Sequence, residues 1–365
     1  MEFTHTTSEY LISLLRSALD GAIPPAAPEG LSLSELFRLA KFHSVANVAY
    51  YALERAGAVL PAELKKQWAE LRDKAIIADI TFQADYEELC GAFAEQGIRM
   101  LPLKGILLKP LYPQSDYRTM SDIDILIDPE NAERVKAVME GLGYETADFG
   151  HNIHDVYHRP PVTGIEVHRK LFEADELRFE PIFPDPWAMC SASGGVWSFT
   201  EEAFFAFLLA HGMKHYEQGG TGIRTFMDIC LYRRHCGARL DLERIYGMFE
   251  RIGQRQLCED FVALSGMWFG DGERTEALSE MERYILSGGT YGTFSNHVAR
   301  GIKQKGRAGY IRDKLFPNFQ TMRYRYPVLN KAPVLLPVFW GVRIVTKPFV
   351  NRRQNAAKIK ALMKK

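Results

Sequence analysis

Residues 117–128 read YRTMSDIDILID, and two carboxylates, Asp122 and Asp124, stand two positions apart among Met120, Ile123, Ile125, Leu126 and Ile127. Side chains two apart on a strand share a face, so the carboxylates project together while Ile123 and Ile125 enter the opposite layer. Two carboxylates that close repel, and one must take up a proton unless a cation lies between them. A divalent metal resolves the conflict. An oxygen donor set favours Mg²⁺ or Mn²⁺, which keep waters and complete their shells with phosphate oxygens of a substrate. The bland alternative is a solvated strand end, with Asp128 capping the next helix.

A third carboxylate sharpens the pattern. Glu166 alternates with Ile165 and Val167 in GIEVHRKL. If this strand neighbours the first, Asp122, Asp124 and Glu166 could hold two metals, one at a triphosphate and one at an attacking hydroxyl, with Glu166 also able to act as base. Upstream, LPLKGILLK puts Lys104 and Gly105 directly after a strand. Glycine lets backbone amides approach a phosphate, and the lysine adds a point charge. Arg118 could meet a phosphate or pair with Asp116 or Asp122.

Four histidines, His151, His154, His158 and His168, surround a hairpin pattern, but their spacings match no common zinc motif. His168 shares a strand face with Glu166 and could orient it. His211 and His215 stand at i and i+4 on a helical stretch without the glutamate of a zincin, which favours a structural or substrate-contacting role. Lys214 and Arg224 flank the turn EQGGTGIRT, which could bring a helix end to the triphosphate. The plain reading is an interhelical turn with Arg224 paired to Asp228. SGGTYG, residues 287–292, follows no strand and reads as a turn.

The elements that must position these groups change character along the chain. SEYLISLLRSALD, LSLSELFRLAKFHSVANVAYYALERAG and PAELKKQWAELRDKAIIADITFQADYEELCGAFAEQG repeat apolar residues at three and four, and Ser32 with Glu35 resembles a capping box. Residues 1–96 therefore read as a helical region. IRMLPLKG, DIDILID and the pair within HDVYHRPPVTGIEVHRKL read as strands, with PENAERVKAVMEGLGY as one helix stopping at Gly141, so 97–197 form a small α/β sheet unit. Helical period returns over 198–300 in EEAFFAFLLAHGMKH, RTFMDICLYRRH and LERIYGMFERI, and prolines break the tail, 301–365, into short pieces.

Composition bounds the rest. The 365 residues are 47% hydrophobic and 25% charged, as in ordinary globular proteins. Five cysteines without a CxxC pair suggest neither a disulfide framework nor a zinc ribbon. The N-terminus lacks signal-peptide features, and no stretch nears the about 18 apolar residues of a membrane span, so the cytoplasm is the expected setting. Net charge is zero, but 16 of 45 Lys and Arg and one of 45 acids fall in 301–365, giving that tail +15 and the remainder −15. Such a tail could bind an anionic partner or membrane surface, or lie on the acidic body of its own protein, which is the favoured reading. Its segment APVLLPVFWGV is expected to be buried.

The order LKG, then RTMSDIDILI, then a helix ending GLGY, then IEVHRKL resembles the nucleotidyltransferase superfamily that includes DNA polymerase beta, and within it a bacterial family of uncharacterised nucleotidyltransferases. The resemblance covers residues 101–171 well and extends to LLAHGMKHYEQGGTGIRTFMDICLY. It implies an α+β fold, a small mixed β-sheet nucleotidyltransferase core flanked by N-terminal and C-terminal helical regions. It further implies a metal triad at Asp122, Asp124 and Glu166, with Mg²⁺ or Mn²⁺. The expected reaction is transfer of a nucleoside monophosphate from a nucleoside triphosphate, with ATP as the expected donor, to an acceptor hydroxyl of a small molecule, protein, RNA or glycan precursor. Lys104, Gly105, Arg118, Lys214 and Arg224 would meet the phosphates. Gly105-Ile106 stands where most of the superfamily has Gly-Ser. Two other readings stay open: a DxD glycosyltransferase using a nucleotide sugar, which would want a longer βαβ region before Asp122, and a catalytically silent scaffold.

Overall fold

The computed structural model describes residues 3–173, 176–193, 196–290 and 292–350. Four helices come first: α1 (His5–Asp20), α2 (Leu33–Phe42), α3 (Ala46–Arg55) and α4 (Ala62–Glu95). Thr4 caps α1 by accepting from Thr7 N. Ser32 caps α2 by accepting from Glu35 N, but the Glu35 carboxylate accepts from Thr4 N instead of closing the box on Ser32. The cap therefore ties α2 to the start of α1.

Helix α4 belongs to two cores. Its N-terminal half buries Trp68 against Phe37 and Tyr50 of α2 and α3. Its C-terminal half buries Phe82, Leu89 and Phe93 against the sheet. Two acids on it are also buried: Asp79 accepts from Lys109 Nζ at 2.6 Å, and Asp85 pairs with Arg159. Removing one partner of such a pair would strand a buried charge.

The sheet has five strands, β1 (Leu101–Leu103), β2 (Ile123–Leu126), β3 (Glu145–Asp148), β4 (His154–Arg159) and β5 (Thr163–His168), in the order β1-β2-β5-β4-β3. Strands β2 and β5 run parallel and the other pairs are antiparallel, so the sheet is mixed. Between β1 and β2 lies the short α5 (Gly105–Leu108), and between β2 and β3 lies α6 (Ala132–Gly141), ending where the sequence predicts. Helices α4 and α6 cover one face, where Ile123, Ile125, Ile165 and Val167 are fully buried with Val135 and Met139. Ile106 joins this core, which accounts for an apolar residue there. A hairpin, β6 (Cys190–Ser193) and β7 (Val196–Phe199), docks on the sheet through Trp197 N donating to Met100 O, with Arg99 stacked on Trp187 and paired with Asp128. Asp128 thus holds Arg99 rather than capping a helix.

Helices α7 (Glu201–Gln218), α8 (Ile223–Cys236), α9 (Leu242–Glu250), α10 (Arg255–Phe269) and α11 (Glu276–Gly288) follow. Their apolar faces share one core with α1–α3. The architecture is the expected α+β one, a small mixed sheet with helical flanks. The tail then forms α12 (Phe294–Leu315), broken at Gly306, α13 (Phe319–Arg325) and α14 (Leu336–Val350). The segment 332–342 departs from expectation: Val334 is 85% and Val338 59% exposed. Phe339 packs on Tyr326 and Trp340 on Phe316. Within this region Lys303 pairs with Glu280 of α11, while Lys305 and Arg312 pair with Asp313. Six of the tail's 16 basic residues fall in 351–365, which lie outside the described residues. No helix among the described residues is long and apolar enough to cross a membrane.

Candidate functional site

Strand register assembles the carboxylates. Asp124 pairs with Leu103 on one side and with Glu166 on the other, and Asp122 sits just before β2. Because Ile123, Ile125, Ile165 and Val167 fill the opposite layer, Asp122, Asp124 and Glu166 all face a cleft of about 320 Å³ between the sheet and α7–α8. That volume is within the range of small-ligand sites.

Lys104 reaches the same point from β1. Its backbone adopts φ 49°, ψ −114°, a conformation that costs a non-glycine residue about 1–3 kcal/mol. The sharp turn ends β1, starts α5 and sends the ammonium to Asp124, where Nζ donates to Oδ1 at 2.9 Å. His168 Nε2 meets the same oxygen at 3.0 Å and lies 3.6 Å from Glu166 Oε2. His154 Nε2 lies 3.9 Å from Glu166 Oε1. A Cβ at Gly105 would meet Arg118 and Met120 at 3.4 and 3.5 Å, ordinary van der Waals contact.

Titration follows from this crowding. Burial, then the neighbouring Asp124 and Glu166 charges, pushes Asp122 up to about 6. Burial alone would also raise Asp124, but the Lys104 ammonium and the His168 hydrogen bond outweigh it and hold that carboxyl well below the usual range. Glu166 is lowered chiefly by the His168 imidazole beside it. His168 is raised: burial opposes its charge, and the neighbouring Asp124 and Glu166 carboxylates overcome that opposition. Lys104 and His168 thus satisfy Asp124, while burial and the neighbouring charges leave Asp122 raised. Asp122, Asp124 and Glu166 line one cleft, but among the described residues the set whose ligand atoms all lie within 4.8 Å of one another is His154, Glu166 and His168.

The other expected cations line the cleft walls, each with a protein partner. Arg118 makes a bidentate pair with Asp228, 2.9 Å at both nitrogens, and Tyr112 donates to the same carboxylate. Asp228 is therefore not the partner of Arg224, and Arg118 takes neither Asp116 nor Asp122. Arg224 instead donates to Thr119 O and Oγ1 at 2.6 and 2.9 Å. Lys214 pairs with the buried Glu176 at 2.8 Å. His211 and His215 form a hydrogen bond between their Nε2 atoms, 3.0 Å apart. Burial, with nearby lysines, lowers both, His215 to about 3, so the pair is neutral at physiological pH.

Thr221, Gly222 and Arg224 of the glycine-rich turn line the cleft. Gly219, Gly220 and Gly222 pack against the 288–293 segment, with Thr293 N donating to Gly219 O. Thr290 of that segment bonds Phe42 O and Ser44 Oγ and lines the cleft. His43 is fully buried beneath it, with Nε2 on Leu286 O and Nδ1 accepting from Ile223 N at the start of α8. These contacts join segments far apart in the chain, and no local pattern announces them. Of the four hairpin histidines, His154 and His168 converge on Glu166, whereas His151 pairs with Asp148 at the surface and His158 is exposed.

Comparison with known proteins places this geometry in context. The chain matches the family described as "Uncharacterised nucleotidyltransferase" over residues 30–270. A search of curated proteins finds no match. Among solved structures, the antibiotic-resistance factor ANT(2'')-Ia is similar at 14% identity and a TM-score of 0.36, over 50% of this chain and 96% of that one.

Proposed function

We propose that this chain, which belongs to the family of uncharacterised nucleotidyltransferases, moves a nucleoside monophosphate from a nucleoside triphosphate to an acceptor hydroxyl and releases pyrophosphate. The observation that carries this reading is the register that sets Asp124 beside Glu166, with Asp122 leading into the same strand. Asp122 and Asp124 would hold Mg²⁺ or Mn²⁺ at the triphosphate, and the trio a second ion. When bound, such ions neutralise phosphate oxygens and acidify a hydroxyl.

The chain's own groups do the remainder. Glu166 accepts the proton of the acceptor hydroxyl as its oxygen bonds to the α-phosphorus, and the bond from that phosphorus to the β-phosphate oxygen breaks. Lys104 leaves Asp124 to meet the departing pyrophosphate, a role open to it because the ammonium is a flexible point charge. Lys214 and Arg224 stand at the cleft wall for the same anion. Arg118, already held by Asp228, fixes α8 against the β1–β2 connection. The neutral His211–His215 pair offers a hydrogen bond to a sugar or acceptor.

ATP is the expected donor and the cytoplasm the setting. The acceptor is a hydroxyl of a small molecule, protein, RNA or glycan precursor, and the basic tail could hold an anionic partner or membrane surface. The nucleotide-sugar reading has less support, since helices α1–α4, the three-residue β1 and the one-turn α5, not a βαβ unit, precede Asp122. The test is incubation with α-labelled nucleoside triphosphates, divalent metal and fractionated cell extract. Label moving to an acceptor supports the proposal. Sugar release from a nucleotide sugar, or silence with every triphosphate from folded protein, contradicts it.

A further inference from the structure

His154, Glu166 and His168 bring two imidazole nitrogens and a carboxylate together beside Asp124. We propose that this set binds a transition-metal ion of the Mn²⁺, Co²⁺ or Zn²⁺ class in preference to Mg²⁺, with both histidines as direct ligands. The cross-strand register sets His154 opposite His168, with ring centroids 5.0 Å apart and planes tilted by 46°. One ligand atom from each of the three residues lies within 4.8 Å of the others. Both rings turn Nε2 to Glu166, at 3.9 and 3.6 Å, while both Nδ1 atoms are buried with no hydrogen-bond partner. The nitrogens presented to the cleft are therefore the ones that converge.

The donor types decide the metal. Mg²⁺ demands a near-octahedral oxygen shell and gives up water reluctantly, so two imidazoles in its shell disfavour it. Imidazole suits Zn²⁺ and its first-row neighbours, and two histidines with one carboxylate leave positions open for Asp124, water or substrate. Without an ion, the contact of His168 Nε2 with Asp124 requires a proton on that nitrogen. A bound metal replaces that proton, and Lys104 is then no longer needed to balance Asp124. The inference rests on the nucleotidyltransferase reading for what the ion would do, and on geometry alone for where it binds.

The experiment uses the full chain, stripped with chelator and titrated calorimetrically with Mn²⁺, Co²⁺, Zn²⁺ and Mg²⁺ in the absence of nucleotide. His154→Ala and His168→Ala are expected to weaken Co²⁺ and Zn²⁺ about tenfold or more and Mg²⁺ by no more than about twofold. Pulsed electron paramagnetic resonance of the unmutated protein loaded with Mn²⁺ gives a readout independent of variant folding, and should show ¹⁴N coupling from imidazole. Absence of nitrogen coupling, or Mg²⁺ and Co²⁺ affinities that fall in parallel in the variants, overturns the proposal. Nitrogen coupling in a protein that transfers no nucleotide upholds the site and removes the functional reading; transfer with Mg²⁺ but no nitrogen coupling does the reverse.

Discussion

Lys104 Nζ and Asp124 Oδ1 lie 2.9 Å apart, joined by a lysine whose backbone holds a positive φ. The ammonium balances a carboxylate that is buried. Replacing it tests that balance. Lys104→Met should destabilise the metal-free protein by about 1–3 kcal/mol, because a buried carboxylate loses a charged donor. Saturating Mn²⁺ should shrink that deficit in urea unfolding, while nucleotidyl transfer stays impaired. An equal deficit with and without metal would argue against an ion beside Asp124.

The pair Arg118–Asp228 makes the opposite prediction. Both side chains are buried, and Tyr112 completes the carboxylate's bonding. Arg118→Ala should cost about 3–5 kcal/mol of stability, since it strands a buried charge. Arg118→Ala with normal stability and a raised KM for triphosphate would instead make Arg118 a phosphate contact.

His43 gives stability a pH dependence of known sign. Burial lowers its pKa to about 4, with the bond to Leu286 O opposing only in part. The unfolded chain, with histidine near its ordinary value of about 6.5, therefore binds more protons between those limits. His43's contribution is present above about pH 6.5 and is lost as pH falls toward 4, at about 1.4 kcal/mol per unit. His43→Gln should flatten the slope of unfolding free energy against pH in that window. An unchanged slope would place the acid sensitivity elsewhere, His211 and His215 being the next groups of the same sign.

The interlock of the two glycine-rich segments is sensitive to a single methyl. Gly292 has φ 70°, and a Cβ there would lie 2.5 Å from Gly219 C. Gly292→Ala should lower stability by about 1–3 kcal/mol through strain and backbone displacement. It should also loosen the cleft wall at Thr290, seen as faster proteolysis of the 286–293 segment. Unaltered proteolysis would separate this interlock from the cleft.

Much of the site was legible because it is written in strand alternation. Asp122, Asp124 and Glu166 share a face by period two, and Ile123, Ile125, Ile165 and Val167 mark the other. Helix α4 was legible from its period and its proline start. Strand β3 was not, since ETAD is a polar edge strand without β-branched continuity. The β6–β7 hairpin hid in a Pro- and Gly-rich run. The partners of Arg118, Arg224 and Lys214 were out of reach for another reason: they lie 38 to 110 residues away, and only packing chooses them over nearer candidates. Asp228 shows this directly, being four residues from Arg224 yet bonded to Arg118. His154 and His168 are 14 residues apart, and their convergence depends on hairpin register, which zinc-motif spacing does not encode.

The central claim is that Asp122, Asp124 and Glu166 support attack on an α-phosphorus. The most direct test is pyrophosphate release from nucleoside triphosphates with Mg²⁺ or Mn²⁺ and extract-derived acceptors, in the unmutated chain and in Asp124→Ala. Three carboxylates holding the ions predict release that falls by about a thousandfold in the variant, the loss of several kcal/mol of transition-state stabilisation. Release that persists undiminished in correctly folded Asp124→Ala would contradict the account.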